Sequence, residues 1–283
     1  MTELQICKNC GNKFSGKFCN LCGEKVYTDH DKTLKHFFEE AFHFITHFDS
    51  KFLKTVKLVF FKPGFVSKEI SGGARKKYFK PVSLFLIGVV IYLLFPVLRG
   101  MNIHISSHLG QYNTLGITFP EKWVLAKIAA QYLSEEQFVE LFENKSAKIS
   151  KLLLFIIIPF TGILLKLLFN RKRKYYFDHF TLSAEINTFN LYFNFLIVPV
   201  IVNIVYGVAS FWGGLSSDYG DNLYVTGFLL LLFIWYVTAA LQRFYELRTW
   251  HAFLKSLLFL VGHTIIVYLI YRLILFCIVM LLI

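Results

Sequence analysis

The sequence predicts an all-α integral membrane protein with about five transmembrane helices, and three observations support this prediction. The chain has 283 residues, of which 55% are hydrophobic, and its mean hydropathy is +0.53. The apolar residues are concentrated in long runs of Leu, Ile, Val and Phe. Lysine and arginine residues flank these runs, as they do in membrane proteins. We therefore interpret the net charge of +12 as a surface that faces the headgroups of a lipid bilayer, and we expect no nucleic-acid partner.

Four of the five cysteines lie within the first 22 residues, as two Cys-x-x-Cys pairs formed by Cys7 with Cys10 and by Cys19 with Cys22. Each pair presents two thiolates to one metal ion, and two pairs complete a tetrahedral site with four cysteine ligands. No apolar leader opens the chain, so we expect a reducing compartment, where clustered thiols bind metal rather than form disulfides. The spacing predicts a zinc ribbon over residues 1–28. Its Zn²⁺ would be structural, since four cysteines leave no open coordination position.

Residues 29–77 are predicted to form cytoplasmic amphipathic helices that lie in the headgroup plane or pack across the end of the bundle. Pro63 and Gly64 are predicted to end the second of these helices. Four polar residues, spaced by four, three and four positions, share one helical stripe: His36, Glu40, His43 and His47. Such a stripe can bind a metal ion or relay protons, or it can simply be the polar face of an amphipathic helix. Both interpretations stay open.

Residues 78–283 are predicted to form the transmembrane bundle. A helix needs about 20 apolar residues to cross the hydrocarbon core of a bilayer, which is roughly 30 Å thick. Five runs approach or exceed this length, and the predicted spans are about 82–98, 152–169, 191–212, 223–242 and 256–283. Residues 99–150 are predicted to form an extracytoplasmic helical loop, in which Ser134 and Gln137 have the spacing of a capping box.

The orientation follows from the distribution of lysine and arginine. They are concentrated before the first span and in the connections 170–190 and 243–255. They are sparse in the long loop 99–151 and absent from the loop 213–222. The positive-inside rule therefore predicts a protein of the inner membrane with a cytoplasmic N-terminus and an extracytoplasmic C-terminus.

Polar side chains in or near the third and fifth spans are the remaining candidates for a functional site: His179, Glu185, Asn187 and His263. Polar groups at membrane depth are costly and are functional hypotheses by default. The alternative is a structural hydrogen-bond network between helices, in which Glu185 and Asn187 pair with Arg243, Arg248 or His263. The chain contains no Gly-x-Ser-x-Gly, P-loop, His-Glu-x-x-His or dinucleotide motif, so no catalytic residue is predicted.

Several stretches occur together in one order: CKNC with CNLCGE, then HFFEEAFHFITHFDSKFLKTVKLVFFKPG, KKYFKPVSLFL, DHFTLSAEINTF and LQRFYELRTWHAFLKSLL. This order resembles the bacterial membrane family filed as domain of unknown function 3667. The resemblance implies an inner-membrane protein with a zinc ribbon, and it implies no reaction. Glu185 and Asn187 stand where that family commonly has histidine, so no intramembrane metal site is carried over.

Three functions fit these observations. The favoured one is a non-enzymatic membrane scaffold, adaptor or sensor, whose cytoplasmic zinc ribbon binds a protein partner. The alternative is a transporter or channel for ions or small solutes that uses the polar residues of spans three to five. A membrane enzyme comes third, and it requires histidines and carboxylates that converge in one pocket. The sequence predicts no oligomeric state.

Overall fold

The computed structural model describes residues 4–7, 10–16, 18–22, 51–74, 77–94, 104–201, 204 and 223–283, and these residues are mostly helical. The chain divides into two compact units, Met1–Leu53 and Lys54–Ile283.

The first unit contains a short antiparallel hairpin. Strand β1, Gln5–Ile6, pairs with strand β2, Lys13–Phe14, and Gln5 lies opposite Phe14. The backbone closes the turn between them, because the Cys7 N–H donates to the Asn12 carbonyl over 2.9 Å. Gly11 also donates to the Cys7 carbonyl, with a φ of +73° that favours glycine. The first pair of cysteines is therefore held by the turn of a hairpin.

The second unit begins within a helix that covers residues 51–61, called α1. Helix α2, Phe65–Ser71, follows immediately, and helix α3 is Pro81–Leu94. Between α1 and α2 the chain turns at Pro63 and Gly64, as the sequence predicts. Helix α2 lies within the stretch 29–77 predicted as amphipathic helices, although the sequence predicts no separate helix after Gly64. Its start depends on Gly64, because the turn before the helix needs a φ of +74°, which is accessible mainly to glycine.

Helices α4, Ile105–Thr114, and α5, Phe119–Gln131, occupy the stretch predicted as a helical loop. Helix α6 then runs for 35 residues, from Glu135 to Phe169. The capping box that opens it is confirmed: Gln137 N–H donates to Ser134 Oγ over 3.2 Å, and Ser134 N–H donates to Gln137 Oε1 over 3.0 Å. The predicted boundary near residue 150 is not a break, because no glycine or proline interrupts the chain there and one 3₁₀ turn, Leu154–Ile156, keeps it helical.

Three further long helices follow in the described residues of the second unit. Helix α7 is Tyr176–Ile201, α8 is Leu223–Tyr245 and α9 is Thr249–Leu282. Both α7 and α9 contain a π-helical segment, at Leu191–Ile197 and at Ile266–Tyr271.

Helix α7 begins 15 positions before the predicted third span, which started at residue 191. The sequence missed this start because the stretch is buried but partly polar. Every residue from Thr181 to Phe189 is buried, and the polar residues among them lower the hydropathy on which the predicted span was based. α7 is the central helix of the second unit, since it packs against α2, α3, α6 and α8.

Within the described part of the chain, four helices are long and apolar enough to cross a membrane: α6, α7, the part of α8 from Gly227 to Tyr245, and α9. Helix α3, which corresponds to the first predicted span, is apolar but shorter, and residues 95–98 of that span lie outside the described residues. The outer faces of these helices carry exposed leucine and valine, including Leu231 and Val261. An apolar exterior of this kind is suited to lipid rather than to water.

A candidate metal centre and a buried polar cluster

The four N-terminal cysteines lie together. Their sulfur atoms are all within 4.8 Å of one another, and the arrangement could hold a metal ion. Cys7 Sγ lies 3.5 Å from Cys22 Sγ, and Cys10 Sγ lies 3.7 Å from Cys19 Sγ. These separations exceed the roughly 2.05 Å of a disulfide bond, and the four cysteines are free thiols. The two Cys-x-x-Cys pairs predicted from the sequence therefore lie around one candidate metal position.

The ionisation of each thiol in this cluster depends on its neighbours. Backbone N–H groups of Cys22 and Leu21 lower the pKa of Cys19 to about 6. The backbone N–H of Asn12 lowers the pKa of Cys10, but the neighbouring thiols and burial together raise it to about 12. Four sulfurs this close cannot all carry negative charge unless a cation compensates them. Soft thiolate donors in a set of four are the ligands that Zn²⁺ prefers in closed sites.

A second cluster is buried in the helical unit and is centred on Glu185 of α7. Its carboxylate accepts the backbone N–H of Gly64 over 2.8 Å and that of Ser67 over 2.7 Å. The Ser67 hydroxyl donates to the Thr181 carbonyl over 3.0 Å. Glu185 therefore caps the N-terminus of α2, whose first-turn N–H groups have no intrahelical acceptor. A carboxylate at this position also complements the positive end of the helix dipole.

Helix α8 completes the contact with the turn between α1 and α2. Arg243 donates to the carbonyl of Pro63, and the Tyr236 hydroxyl donates to the carbonyl of Val59 over 3.0 Å. A β-carbon added at Gly64 would lie 2.6 Å from the backbone oxygen of Ala240. The turn thus approaches α8 so closely that only glycine fits there.

Asn187 and His263 form a third contact, between α7 and α9. Asn187 Oδ1 and His263 Nε2 are 3.2 Å apart, and Asn187 Nδ2 donates to the Ser183 carbonyl over 2.8 Å. The rings of Phe233 and Phe259 lie near the imidazole, with centroid separations of 5.8 and 5.5 Å. This pair is one of those that the sequence suggested, and it joins two helices that are distant in the chain.

His179 is bonded in a similar way near the start of α7. Its Nδ1 lies 2.7 Å from the Tyr245 hydroxyl, and its Nε2 lies 3.3 Å from the carbonyl of Arg173. The Tyr245 ring stacks on Phe169 with a centroid separation of 4.0 Å. His179 therefore ties the connection after α6 to the end of α8, and it does not meet Glu185 through a hydrogen bond among the contacts of the described residues.

The stripe of His36, Glu40, His43 and His47 lies outside the described residues. Among the described residues, the sequence missed Gly64 and Ser67 as partners of Glu185. The signal for them was the Lys62-Pro63-Gly64 turn, which was interpreted only as the end of a helix.

The long apolar helices and the N-terminal cysteine cluster define the class of protein. It is a multi-pass helical membrane protein that carries a candidate metal centre of four cysteines. The family described as protein of unknown function (DUF3667) matches residues 49–93, which confirms the resemblance found in the sequence. The matched segment contains the turn at Gly64, helix α2 and all of helix α3 except its last residue. No curated protein and no solved structure matches the chain.

Proposed function

We propose that the protein is a scaffold, adaptor or sensor of the inner membrane, whose cytoplasmic zinc ribbon binds a protein partner. The observation that carries this proposal is the N-terminal cysteine cluster, in which four thiols converge within 4.8 Å. A site with four cysteine ligands has no position for a substrate or an activated water, so its Zn²⁺ would shape the polypeptide rather than react.

The ribbon depends on its metal because its core is small. Phe14 is the only buried aromatic residue among the described residues of this unit, and it packs with Cys7 and Cys19. Zinc would contribute on the order of 10 kcal/mol to the folding of such a unit. The surface that the metal organises includes the exposed side chains of Ile6 and Leu21, which a partner could cover.

The polar residues of the helices support a scaffold over the alternative of a transporter. Glu185, Asn187 and His179 each make hydrogen bonds to a neighbouring helix or turn. A transport path needs polar groups that face water and exchange partners during each cycle. Groups already bonded to the protein stabilise one packing of the bundle instead.

The test compares the full-length protein with two variants purified from membranes. Cys7→Ser combined with Cys10→Ser removes half of the metal ligands, whereas Cys277→Ser removes a cysteine from α9 and serves as the control. We expect the ligand variant to lose its zinc, measured by mass spectrometry of the metal, and to insert into membranes normally. It should also lose the proteins that cross-link to the wild type in cells, while the control keeps them. An identical set of cross-linked proteins for wild type and ligand variant would contradict the proposal.

A further inference from the structure

Two connections of the helical unit line a cavity of about 700 Å³. One is the connection from α6 to α7, and the other is the short turn from α8 to α9. Five basic side chains line this cavity: Arg171, Lys172, Arg248, His251 and Lys255. Since cations repel one another, a concentration of this kind is stable only where solvent or an anionic ligand compensates it.

The only carboxylate among the residues that line the cavity is Glu246, and it is paired with a residue outside the cavity. Its oxygen lies 2.8 Å from Lys68 Nζ of α2. The hydrogen bond and the charge of Lys68, followed by the charges of Arg173 and Lys172, lower the pKa of Glu246, so the carboxylate stays ionised. One carboxylate that is shared with Lys68 does not balance five basic side chains.

The start of α9 adds further hydrogen-bond donors. Helix α9 begins at Thr249, and the side chain of its N-cap residue, Arg248, makes no capping hydrogen bond. The N–H groups at the start of a long helix, together with the helix dipole, favour an anion. Arginine and lysine are the residues that bind phosphate oxygens, arginine through two parallel hydrogen bonds.

Apart from Asn170, the remaining wall of the cavity is apolar, and it continues onto the exterior of α6. Leu167 lines the cavity and is 72% exposed, and Ile163, one turn earlier, is also exposed. Two aromatic residues next to the basic ones, Tyr175 and Trp250, are each 65% exposed. Tyrosine and tryptophan are enriched at the level of lipid headgroups. The cavity thus combines a cationic part with an apolar part, as expected of a site that binds both a headgroup and an acyl chain.

We propose that this cavity binds the phosphate headgroup of an anionic phospholipid, with an acyl chain along the exposed face of α6. A soluble phosphate compound has the same anionic chemistry and would use the basic side chains, but it would leave the apolar wall at Leu167 unused. An anionic phospholipid would contact both the basic side chains, through its phosphate, and the apolar wall, through its acyl chain. This site is independent of the ribbon and of the partner proposed for it.

The experiment uses the full-length protein in detergent and native mass spectrometry. The protein is mixed with equal amounts of phosphatidylglycerol and phosphatidylcholine, which have similar acyl chains but differ in net charge. The test variant is Arg171→Gln with Arg248→Gln. The matched control is Lys166→Gln with Lys174→Gln, which removes the same amount of charge at residues that do not line the cavity. A third measurement follows the thermal midpoint while inorganic phosphate alone is added.

The wild type and the control should retain phosphatidylglycerol in preference to phosphatidylcholine. Each basic residue near an anionic headgroup strengthens binding by roughly fivefold, so the test variant should bind phosphatidylglycerol about twenty-fivefold more weakly. Equal weakening in both variants would overturn the proposal, because net charge alone would then explain binding. Absence of a preference in the wild type would also overturn it. Stabilisation by inorganic phosphate without any preference for phosphatidylglycerol would assign the cavity to a soluble phosphate compound instead of a lipid.

Discussion

Substitution of Glu185 tests whether its carboxylate holds the turn between α1 and α2. Both of its oxygens accept backbone N–H groups, from Gly64 and from Ser67, and the side chain is fully buried. A buried donor that loses its acceptor costs about 1–3 kcal/mol. Glu185→Ala removes both acceptors, so we expect the free energy of unfolding to fall by about 2–6 kcal/mol. Glu185→Gln keeps one carbonyl oxygen and should lose about half as much.

The assay is unfolding of the detergent-solubilised protein by increasing mole fractions of sodium dodecyl sulfate, followed by circular dichroism. Glu246→Gln is the matched control, because the same chemical change is made at an exposed carboxylate whose ion pair with Lys68 contributes little. The expected order of stability is wild type and Glu246→Gln together, then Glu185→Gln, then Glu185→Ala. Equal stability of Glu185→Ala and wild type, or equal loss from both glutamine variants, would refute the role assigned to Glu185.

Three further predictions concern other parts of the chain. Gly64→Ala should unfold more easily than Gly73→Ala, by about 1–3 kcal/mol in the same assay, because both have positive φ but only Gly64 meets the backbone of Ala240. Burial, and then the charge of Arg272, lower the pKa of His108 to about 4. The unfolded state therefore binds the proton more tightly, and stability is complete above about pH 6.5 and falls by up to about 3 kcal/mol as pH decreases toward 4. The thermal midpoint should follow this decrease, and His108→Phe should flatten it. A strong zinc chelator should remove amide-exchange protection from residues 4–22 and leave the helical unit protected.

Local signals in the sequence were sufficient for several features. The two Cys-x-x-Cys pairs predicted the sulfur cluster, because metal-ligand spacing within a turn is set by the backbone alone. Ser134 and Gln137 predicted the start of α6, because a capping box also involves neighbours only. The long apolar runs in α6, α8 and α9 were recognisable by hydropathy, which depends on composition.

Features that depend on distant partners were not predictable in this way. Glu185 and Gly64 are 121 positions apart, and nothing local indicates that a carboxylate in α7 accepts the N–H groups of a turn. The early start of α7 was missed for a related reason. Residues such as Ser183 and Thr188 lower its hydropathy, yet each hydroxyl donates to a carbonyl and is buried without penalty.

Side chains of α7 form hydrogen bonds with the backbone of the segment that matches the family. These bonds join the segment to the helix bundle. Thr188 and Tyr192 of α7 donate to the carbonyls of Pro81 and Leu84, at the start of α3. Glu185, as described, accepts the N–H groups at the start of α2. Where water is scarce, each backbone group at a helix terminus needs a partner within the protein. Glu185 supplies the acceptors that the turn at Gly64 and the start of α2 need. At the start of α3 the roles are reversed, because the carbonyls there accept the buried hydroxyls of Thr188 and Tyr192. The polar residues of α7 therefore join the matched segment to the bundle through hydrogen bonds in both directions.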